Sequence, residues 1–281
     1  MALTNEVNVT ASVNRGFRAA NAADLGGIGL SGGGGFEIAP TTAASLGAFV
    51  GSSGAAGAVS TGVRVSDLRP EVVSQYELGL KARPMPWLNV NASVYRNHWT
   101  DLQLPFTTSD KLFGYLQNAG KATSTGAEVE VAARPRPDLR LALNLATVDA
   151  RMDETVFDAS GNAGAVKGNH IPFSPRLQAS VSAAREFELR SGLVAEVSGR
   201  YAHRGATYGD PSNNGALKND ASDNLTLKAG VHDGTWGTRV FVSNATNSSA
   251  SLQKTTAPGG TVVVTQYVQP RTIGLEIDAS F

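Results

Sequence analysis

Apolar and polar residues alternate along much of this chain. The last ten residues place Ile273, Leu275, Ile277, Ala279 and Phe281 at one parity and polar or small residues at the other. Because successive side chains of a strand point to opposite faces, this pattern predicts a strand with one apolar and one aqueous side. An aromatic residue that ends the chain at the apolar parity is typical of a strand at a membrane interface.

The same period-two pattern predicts about ten strands. They are Leu3 to Arg15, Val72 to Arg83, Trp87 to Thr100, Thr123 to Arg134, Leu139 to Ala150, Arg176 to Phe187, Gly192 to His203, Asn224 to His232, Trp236 to Asn244 and Thr272 to Phe281. The connections between successive strands alternate between short and long. In an up-and-down barrel every second connection lies at the same end, so the alternation puts short turns at the periplasmic face and long loops outside.

Charged residues keep to the polar parity of these strands. Glu128 and Glu130 alternate with Val129, and Lys228 follows Leu227. A lipid-facing charge at mid-bilayer costs about 2–4 kcal/mol, whereas a charge that faces the lumen stays hydrated. The pattern therefore predicts a transmembrane β-barrel wall, although the strand from Trp236 has large apolar residues at both parities and its facing stays open.

A soluble β-sandwich also alternates polar and apolar residues and is the alternative fold. Its connections do not sort so regularly into short and long, and loops of this length are uncommon in compact soluble domains. The predicted fold class is consequently all-β, an antiparallel up-and-down barrel segment.

Composition narrows the possible partners and compartments. The 24 basic and 24 acidic residues give a formal net charge of +0, so the overall charge of the chain provides no attraction to nucleic acid. The absence of cysteine agrees with a bacterial envelope protein. Residues Met1 to Thr10 lack the basic and apolar regions of a secretory signal, so a barrel interpretation predicts that Met1 marks a fragment boundary.

Several segments, taken in their order and spacing, resemble the C-terminal barrel region of TonB-dependent outer-membrane receptors, over nearly the whole chain. They are Asn14 to Asn21, Leu68 to Glu71 with Tyr76 to Lys81, Tyr95 to Gln103, Asn118 to Lys121 with Gly126 to Glu130, Pro172 to Arg176, Phe241 to Asn247 and Pro270 to Gly274. Ala20 departs from the family pattern, which usually has proline there.

The resemblance implies a 22-stranded barrel filled by an N-terminal plug, which takes up a scarce nutrient such as a ferric siderophore, cobalamin or a glycan. Residues 1–281 would supply about ten of these strands, without the plug or the segment that contacts TonB. The implied partners are outer-membrane lipid, the barrel-assembly machinery, the TonB complex through the missing N-terminal region, and a small nutrient ligand. The implied location is the bacterial outer membrane, and no enzymatic activity is expected. A passive porin or small closed barrel stays the alternative.

The terminal segment also resembles the signal that the barrel-assembly machinery reads. The candidate residues are Thr272, Gly274, Ile277, Ala279 and Phe281. The same side chains would equally suit an ordinary lipid-facing strand, so both interpretations stay open.

No catalytic, cofactor or metal site is predicted. His98, His170, His203 and His232 show no metal-ligand spacing. Glu128 with Glu130, and Glu276 with Asp278, share a face, but such carboxylates usually pair with Lys or Arg across strands, here Lys81, Arg200 or Lys228. An outer-membrane hydrolase, the third alternative, would need a Ser or Asp nucleophile beside a lumen histidine. Aromatic residues such as Tyr95, Trp99, Tyr201 and Trp236 are expected in the interface girdles.

Overall fold

The computed structural model describes residues 2–4, 6–19, 28–30, 34–36, 49–50, 59–60, 69–107, 113–157, 162–189, 192–256 and 263–280. Its strands are β1 Ala2–Thr4, β2 Val7–Arg18, β3 Ile28–Leu30, β4 Gly34–Phe36, β5 Phe49–Val50, β6 Val59–Ser60, β7 Glu71–Met85, β8 Leu88–Thr100, β9 Gln103–Thr107, β10 Phe113–Asn118, β11 Ala122–Arg136, β12 Leu139–Met152, β13 Val156–Phe157, β14 Ala163–Ala165, β15 Leu177–Glu188, β16 Val194–Arg204, β17 Thr207–Tyr208, β18 Lys218–Asn219, β19 Ser222–His232, β20 Trp236–Ser243, β21 Ser251–Thr256, β22 Val263–Tyr267 and β23 Thr272–Ala279. A short 3₁₀ helix covers Gly215–Leu217.

Eleven strands form one antiparallel sheet in the order β1-β2-β7-β8-β11-β12-β15-β16-β19-β20-β23. Apart from the three-residue β1, these are the ten strands that the alternation predicts. Each long strand pairs with its neighbours in chain order, which is the meander of an up-and-down barrel wall. The predicted strand from Leu3 is divided in the structure into β1 and β2, and the last strand ends at Ala279, so Phe281 lies outside the described residues.

Strand register places the apolar residues of neighbouring strands side by side. One row of paired residues runs Val9, Leu80, Ala92, Val129 and Leu145 across β2, β7, β8, β11 and β12. A second row runs Gly199, Leu227, Val242 and Ile273 across β16, β19, β20 and β23. Side chains directly opposite in a ladder share one face of the sheet. The alternating apolar residues therefore form one continuous surface, which we call the outward face.

The outward face is not covered by a second layer of protein among the described residues. Val94 is 53% exposed, Val181 52%, Val197 52% and Ile277 63%. In a sandwich these side chains would be buried between two sheets. The exposure excludes the β-sandwich alternative for this sheet and leaves lipid as the environment that suits so much contiguous apolar surface.

Register also decides the facing of the strand from Trp236, which the sequence leaves open. Thr238, Val240 and Val242 pair with Ile277, Leu275 and Ile273 and so belong to the outward face. Arg239 and Phe241 pair with Glu276 and Gly274 on the opposite side. The large apolar residue at the polar parity is thus Phe241, whose ring covers the glycine across the ladder.

The predicted alternation of connections is confirmed. β7 and β8, β11 and β12, and β19 and β20 are joined by a few residues at one end, whereas the connections at the other end carry the small outer strands. In the turn after β19, Asp233 accepts hydrogen bonds from the backbone N–H groups of Thr235 and Trp236, each at 2.8 Å. These two N–H groups, Trp236 first, lower the pKa of Asp233.

No helix in the described part of the chain is long and apolar enough to cross a membrane.

Candidate transport face and outer rim

The polar parity of the sheet forms a concave inward face around a cavity of about 890 Å³. Thr10 of β2 and Asn224 of β19 both line this cavity although several strands separate them, which shows how strongly the sheet curves. Glu77, Glu128 and Arg200 line it as well. Charged and amide side chains surrounding a water-filled space are the lining expected for a polar barrel lumen.

A cluster of charges links the last four strands of the sheet, β16, β19, β20 and β23, on the inward face. Arg239 of β20 contacts Glu196 of β16 and Asp278 of β23 through its guanidinium, and it lies 3.6 Å from Glu276. Lys228 of β19 reaches Glu276 at 3.4 Å. The expected cross-strand pairing of Glu276 and Asp278 is therefore confirmed, but its main cation is Arg239, which the sequence argument missed because the facing of β20 was undecided.

Replacing Arg239 by leucine is expected to loosen this end of the sheet. The change removes a forked donor from three carboxylates, which then repel one another. Since Arg239 makes direct charge-assisted contacts with two carboxylates and Lys228 with only one, we expect the urea midpoint of the detergent-folded full-length protein to fall about twice as far as for Lys228→Leu. Arg200→Leu is the matched control, because no ion pair is found for Arg200 among the described residues. Equal effects at positions 200 and 239 would contradict the clustering.

Two aromatic residues expected in the membrane girdles lie on the inward face instead. Tyr95 pairs with Glu77 and Gly126, and its ring covers the glycine so closely that a β-carbon there would lie 2.5 Å from it. Trp99 packs against a small buried cluster that contains Leu102, Ala122 and Met152. For these two residues the girdle prediction is wrong, because their rings are on the inward face, where Tyr95 covers a glycine of the neighbouring strand and Trp99 packs against the buried cluster. Tyr201 and Trp236 do belong to the outward parity.

The outer rim joins three of the segments that carry the family resemblance. Arg18 reaches Glu71 at 3.4 Å and the side-chain oxygen of Gln103 at 3.1 Å. Glu71 in turn accepts a hydrogen bond from the backbone N–H of Gln103 at 2.9 Å. Arg69 donates to Asp101 at 2.6 and 2.8 Å. These contacts fix the start of β9 to the tops of β2 and β7.

Asn118 completes this outer network from the returning strand β10. Its amide donates to the carbonyls of Arg69 and Asp101, at 2.9 and 2.8 Å, and its carbonyl oxygen accepts from the Arg69 N–H at 2.8 Å. Asp101 adopts a positive φ of 53°, where Asp is better tolerated than most residues. The loop between β8 and β11 is thereby anchored at both of its ends.

Neighbouring outer loops are also linked to one another by side-chain amides. Asn213, with a φ of 54°, donates to the His170 carbonyl at 2.8 Å and accepts from the His170 N–H at 2.7 Å. Partial burial, followed by the guanidinium groups of Arg151 and Arg176, lowers the pKa of His170, with Asp149 opposing them. His170 is therefore a neutral backbone anchor rather than a charged partner near neutral pH.

The next pair of loops is joined through Asp220 and Ser251. Asp220 accepts from the hydroxyl of Ser251 at 2.6 Å and from its N–H at 3.1 Å, and these two bonds lower the pKa of Asp220. Asn219, fully buried, accepts from the Lys254 N–H at 2.7 Å and donates to the Thr207 hydroxyl at 3.0 Å. The loops above β16, β19 and β20 therefore form one linked layer.

Asn244 closes the base of the last long loop. It is 1% exposed and has a φ of 48°. Its amide donates to the carbonyls of Ser248 and Gln269, at 2.9 and 2.8 Å, and its oxygen accepts from the Ser248 N–H at 2.9 Å. One side chain thus holds both ends of the loop.

The histidines are not brought together. Among the described residues no group of three or more potential ligands could hold a metal ion. His203 contacts Asp223 at 2.8 Å, and Tyr201 donates to the same carboxylate at 2.5 Å, but all three belong to the outward parity. His203 and Asp223 therefore do not form a histidine–nucleophile pair on the inward face.

The candidate assembly residues lie on β23, at one edge of the described sheet. Thr272 and Gly274 pair with Ser243 and Phe241 on the inward side, whereas Ile277 and Ala279 pair with Thr238 and Trp236 on the outward side. Phe281 lies outside the described residues. The four described candidates are therefore divided between the two faces of β23.

The family comparison agrees with this architecture. The model of the TonB dependent receptor-like, beta-barrel family matches residues 2–266. The chain belongs to this family. Members of the family are receptors and transporters of the bacterial outer membrane rather than enzymes, and this chain has that location.

Solved receptors show the same fold. The ferric yersiniabactin uptake receptor FyuA from Yersinia pestis matches 100% of this TonB-dependent receptor chain with a TM-score of 0.71 and 21% identity, over 36% of its own chain. The copper transporter OprC has a TM-score of 0.67 and 15% identity, over 100% of this chain and 38% of its own. BauA, the ferric preacinetobactin receptor from Acinetobacter baumannii, has a TM-score of 0.63 and 17% identity, over 98% and 34%. The chain thus spans about a third of each. Among the curated proteins no significant match to this chain is found.

Proposed function

We propose that the full-length protein containing this chain is an outer-membrane receptor that imports a scarce nutrient, of the siderophore, cobalamin or glycan class, with energy delivered through TonB. Residues 1–281 would form the C-terminal part of its barrel, and the plug and the TonB contact would come from the N-terminal region. The observation that carries the proposal is the family match over residues 2–266.

The polar side chains of the inward face support this proposed function. A plug must be held inside the barrel and yet be able to move when force is applied. The hydrated inward wall carries charged side chains of both signs, such as Glu77, Lys81, Glu130 and Arg200. Each can make an individually weak polar contact, so together they could hold a plug and still let it move. The linked outer loops would present a preformed rim to the ligand, which reduces the ordering cost of binding.

The test compares uptake in cells that lack the full-length gene with uptake in complemented cells, in the presence and absence of TonB. The probes are radioactive iron bound to the organism's own secreted chelators, labelled cyanocobalamin and a labelled maltodextrin. The proposal expects one probe to enter only when both the receptor and TonB are present. Uptake that depends on the protein but not on TonB would favour the passive porin alternative, and uptake of no probe would contradict the proposed substrate range.

We also propose that Thr272, Gly274, Ile277, Ala279 and Phe281 form the signal that the barrel-assembly machinery reads. Deleting Phe281 from the full-length protein is expected to reduce the folded barrel in outer-membrane fractions several-fold, because the machinery would lose the terminal side chain that it recognises. Phe281→Trp, which keeps an aromatic terminus, is the matched control. Folded and unfolded forms are separated by their heat-dependent migration in electrophoresis.

A second arm distinguishes a signal from a merely good lipid-facing strand. Both proteins are refolded into phospholipid vesicles that contain no assembly machinery. A signal predicts a defect in cells and normal folding in vesicles. An equal defect in both settings, or undiminished insertion in cells, would contradict a special role for the terminus.

A further inference from the structure

The outward face changes character where the strands leave the apolar belt. On successive strands the first polar outward residues above the belt are Arg15 on β2, Ser74 on β7, Arg96 on β8, Thr125 on β11 and Thr147 on β12. Below them on the same face lie Val13, Tyr76, Val94, Ala127 and Leu145. Phe17, which is 77% exposed, and Val72 lie one outward position further out, and aromatic side chains are common at a membrane interface. We therefore place this line at the inner edge of the headgroup zone on the outer side of the wall.

Arg96 lies in this line among hydroxyl groups. Its paired neighbours are Tyr76 on β7 and Thr125 on β11, and Ser74 is diagonal to it. Arg15 pairs with Ser74 one strand further along, about 10 Å from β8 at the usual strand spacing. Arg15 and Arg96 are both exposed, and no ion pair is found for either within the described residues.

The carboxylates nearby on the same wall are already engaged. Asp149 contacts Arg151 at 3.0 Å and also lies 3.8 Å from Arg176. Asp153 accepts from the Thr123 hydroxyl at 2.7 Å and lies 3.7 Å from His98. In the described part of the chain, two guanidinium groups and several hydroxyls thus lie at headgroup depth with no carboxylate paired to either arginine.

A guanidinium at the edge of the hydrocarbon needs an anionic partner, and a phosphate oxygen fits its fork with two parallel hydrogen bonds. The molecules that touch this wall at this depth are the lipids of the outer leaflet. We propose that Arg15, Arg96 and the hydroxyls of Ser74, Tyr76 and Thr125 form a binding site for a phosphate group of an outer-leaflet lipid. The site lies outside the lumen and does not depend on which nutrient the receptor imports.

The test measures lipid retained by the purified full-length protein in native mass spectrometry. The delipidated protein is exposed to vesicles of phosphatidylcholine that contain a bisphosphorylated glycolipid, or the same glycolipid after removal of its phosphates. We expect the double variant Arg15→Gln with Arg96→Gln to retain about tenfold less phosphorylated lipid than wild type, since two charge-assisted contacts are lost. Wild type is expected to retain little of the dephosphorylated lipid.

Arg200→Gln combined with Lys228→Gln is the matched control, because it removes the same charge from the inward face. Heat-dependent migration confirms folding of each variant. If the double variant fails to fold, Arg96→Lys and Thr125→Val replace it, and both are expected to weaken retention. Equal retention by wild type and the outward variants, or equal retention of both lipids, would overturn the proposal.

Discussion

Arginine at position 129 is expected to reduce membrane insertion of the full-length barrel severely, whereas arginine at position 130 is expected to be tolerated. Val129 lies in the middle of the outward run Ala127, Val129, Val131 and Ala133, and its row neighbours Ala92 and Leu145 are apolar. A guanidinium there has no hydrated space to enter. The cost at the bilayer midplane is about 2–4 kcal/mol, enough to shift folding equilibrium by more than tenfold.

Glu130 is the matched control because it is adjacent in sequence, exposed, and lines the inward cavity. Arginine there exchanges one hydrated charge for another and loses only the 3.2 Å contact from Asn91. The measurement is the folded fraction recovered in lipid vesicles as urea is diluted. Similar yields for Val129→Arg and Glu130→Arg would overturn the assignment of the two faces.

Asn244→Ala is expected to release the last long outer loop. The change removes both donors and the acceptor that hold Ser248 and Gln269, and each buried backbone group left without a partner costs about 1–3 kcal/mol. Alanine also disfavours the positive φ of this position. Because the effect is local, amide exchange of residues 245–256 should accelerate at least tenfold while the sheet keeps its protection.

Three variants separate the causes of this effect. Asn244→Gly keeps the backbone conformation but loses the hydrogen bonds, and it should resemble Asn244→Ala. Asn244→Asp keeps the acceptor for the Ser248 N–H and should be intermediate. Asn247→Ala changes an exposed asparagine with a similar φ of 55° and one contact, to the Arg271 N–H at 3.2 Å, so it should have a small effect. Unchanged exchange in Asn244→Ala would contradict the anchoring role.

Within the membrane the sequence predicts the structure well. Lipid on one side and water on the other impose one rule on every strand, so Val129, Leu227 and Ile277 can be placed from their own neighbours along the chain. Strand existence, order and facing follow from that rule. The facing of β20 required the register with β23, because Phe241 fills the space above Gly274 and so breaks the pattern.

Towards the outer ends of the strands the rule reverses, and prediction from alternation fails there. On β8 the outward positions become Arg96 and His98, whereas Tyr95 and Trp99 point inward and pack against other parts of the protein. The expected girdle role of these two aromatic residues assumed that lipid extends along the whole strand. The loop anchors Asn213 and Asn244 were equally hidden, since their partners are backbone groups of residues brought close only by folding.

The division of the sheet into two faces means that hydrocarbon contacts Val129, Leu227 and Ile277 while water contacts Glu130, Lys228 and Glu276. Residues 1–281 contain no cysteine. A single cysteine introduced at each position can therefore carry a nitroxide label in the reconstituted full-length protein, after any cysteine outside these residues has been replaced by serine. Collision rates with oxygen, which concentrates in the bilayer, and with a water-soluble nickel complex then report the environment. We expect high oxygen and low nickel collision rates at the first three positions and the opposite at the other three. Low rates for both reagents at positions 129, 227 and 277 would show that protein covers this face and that lipid does not contact it.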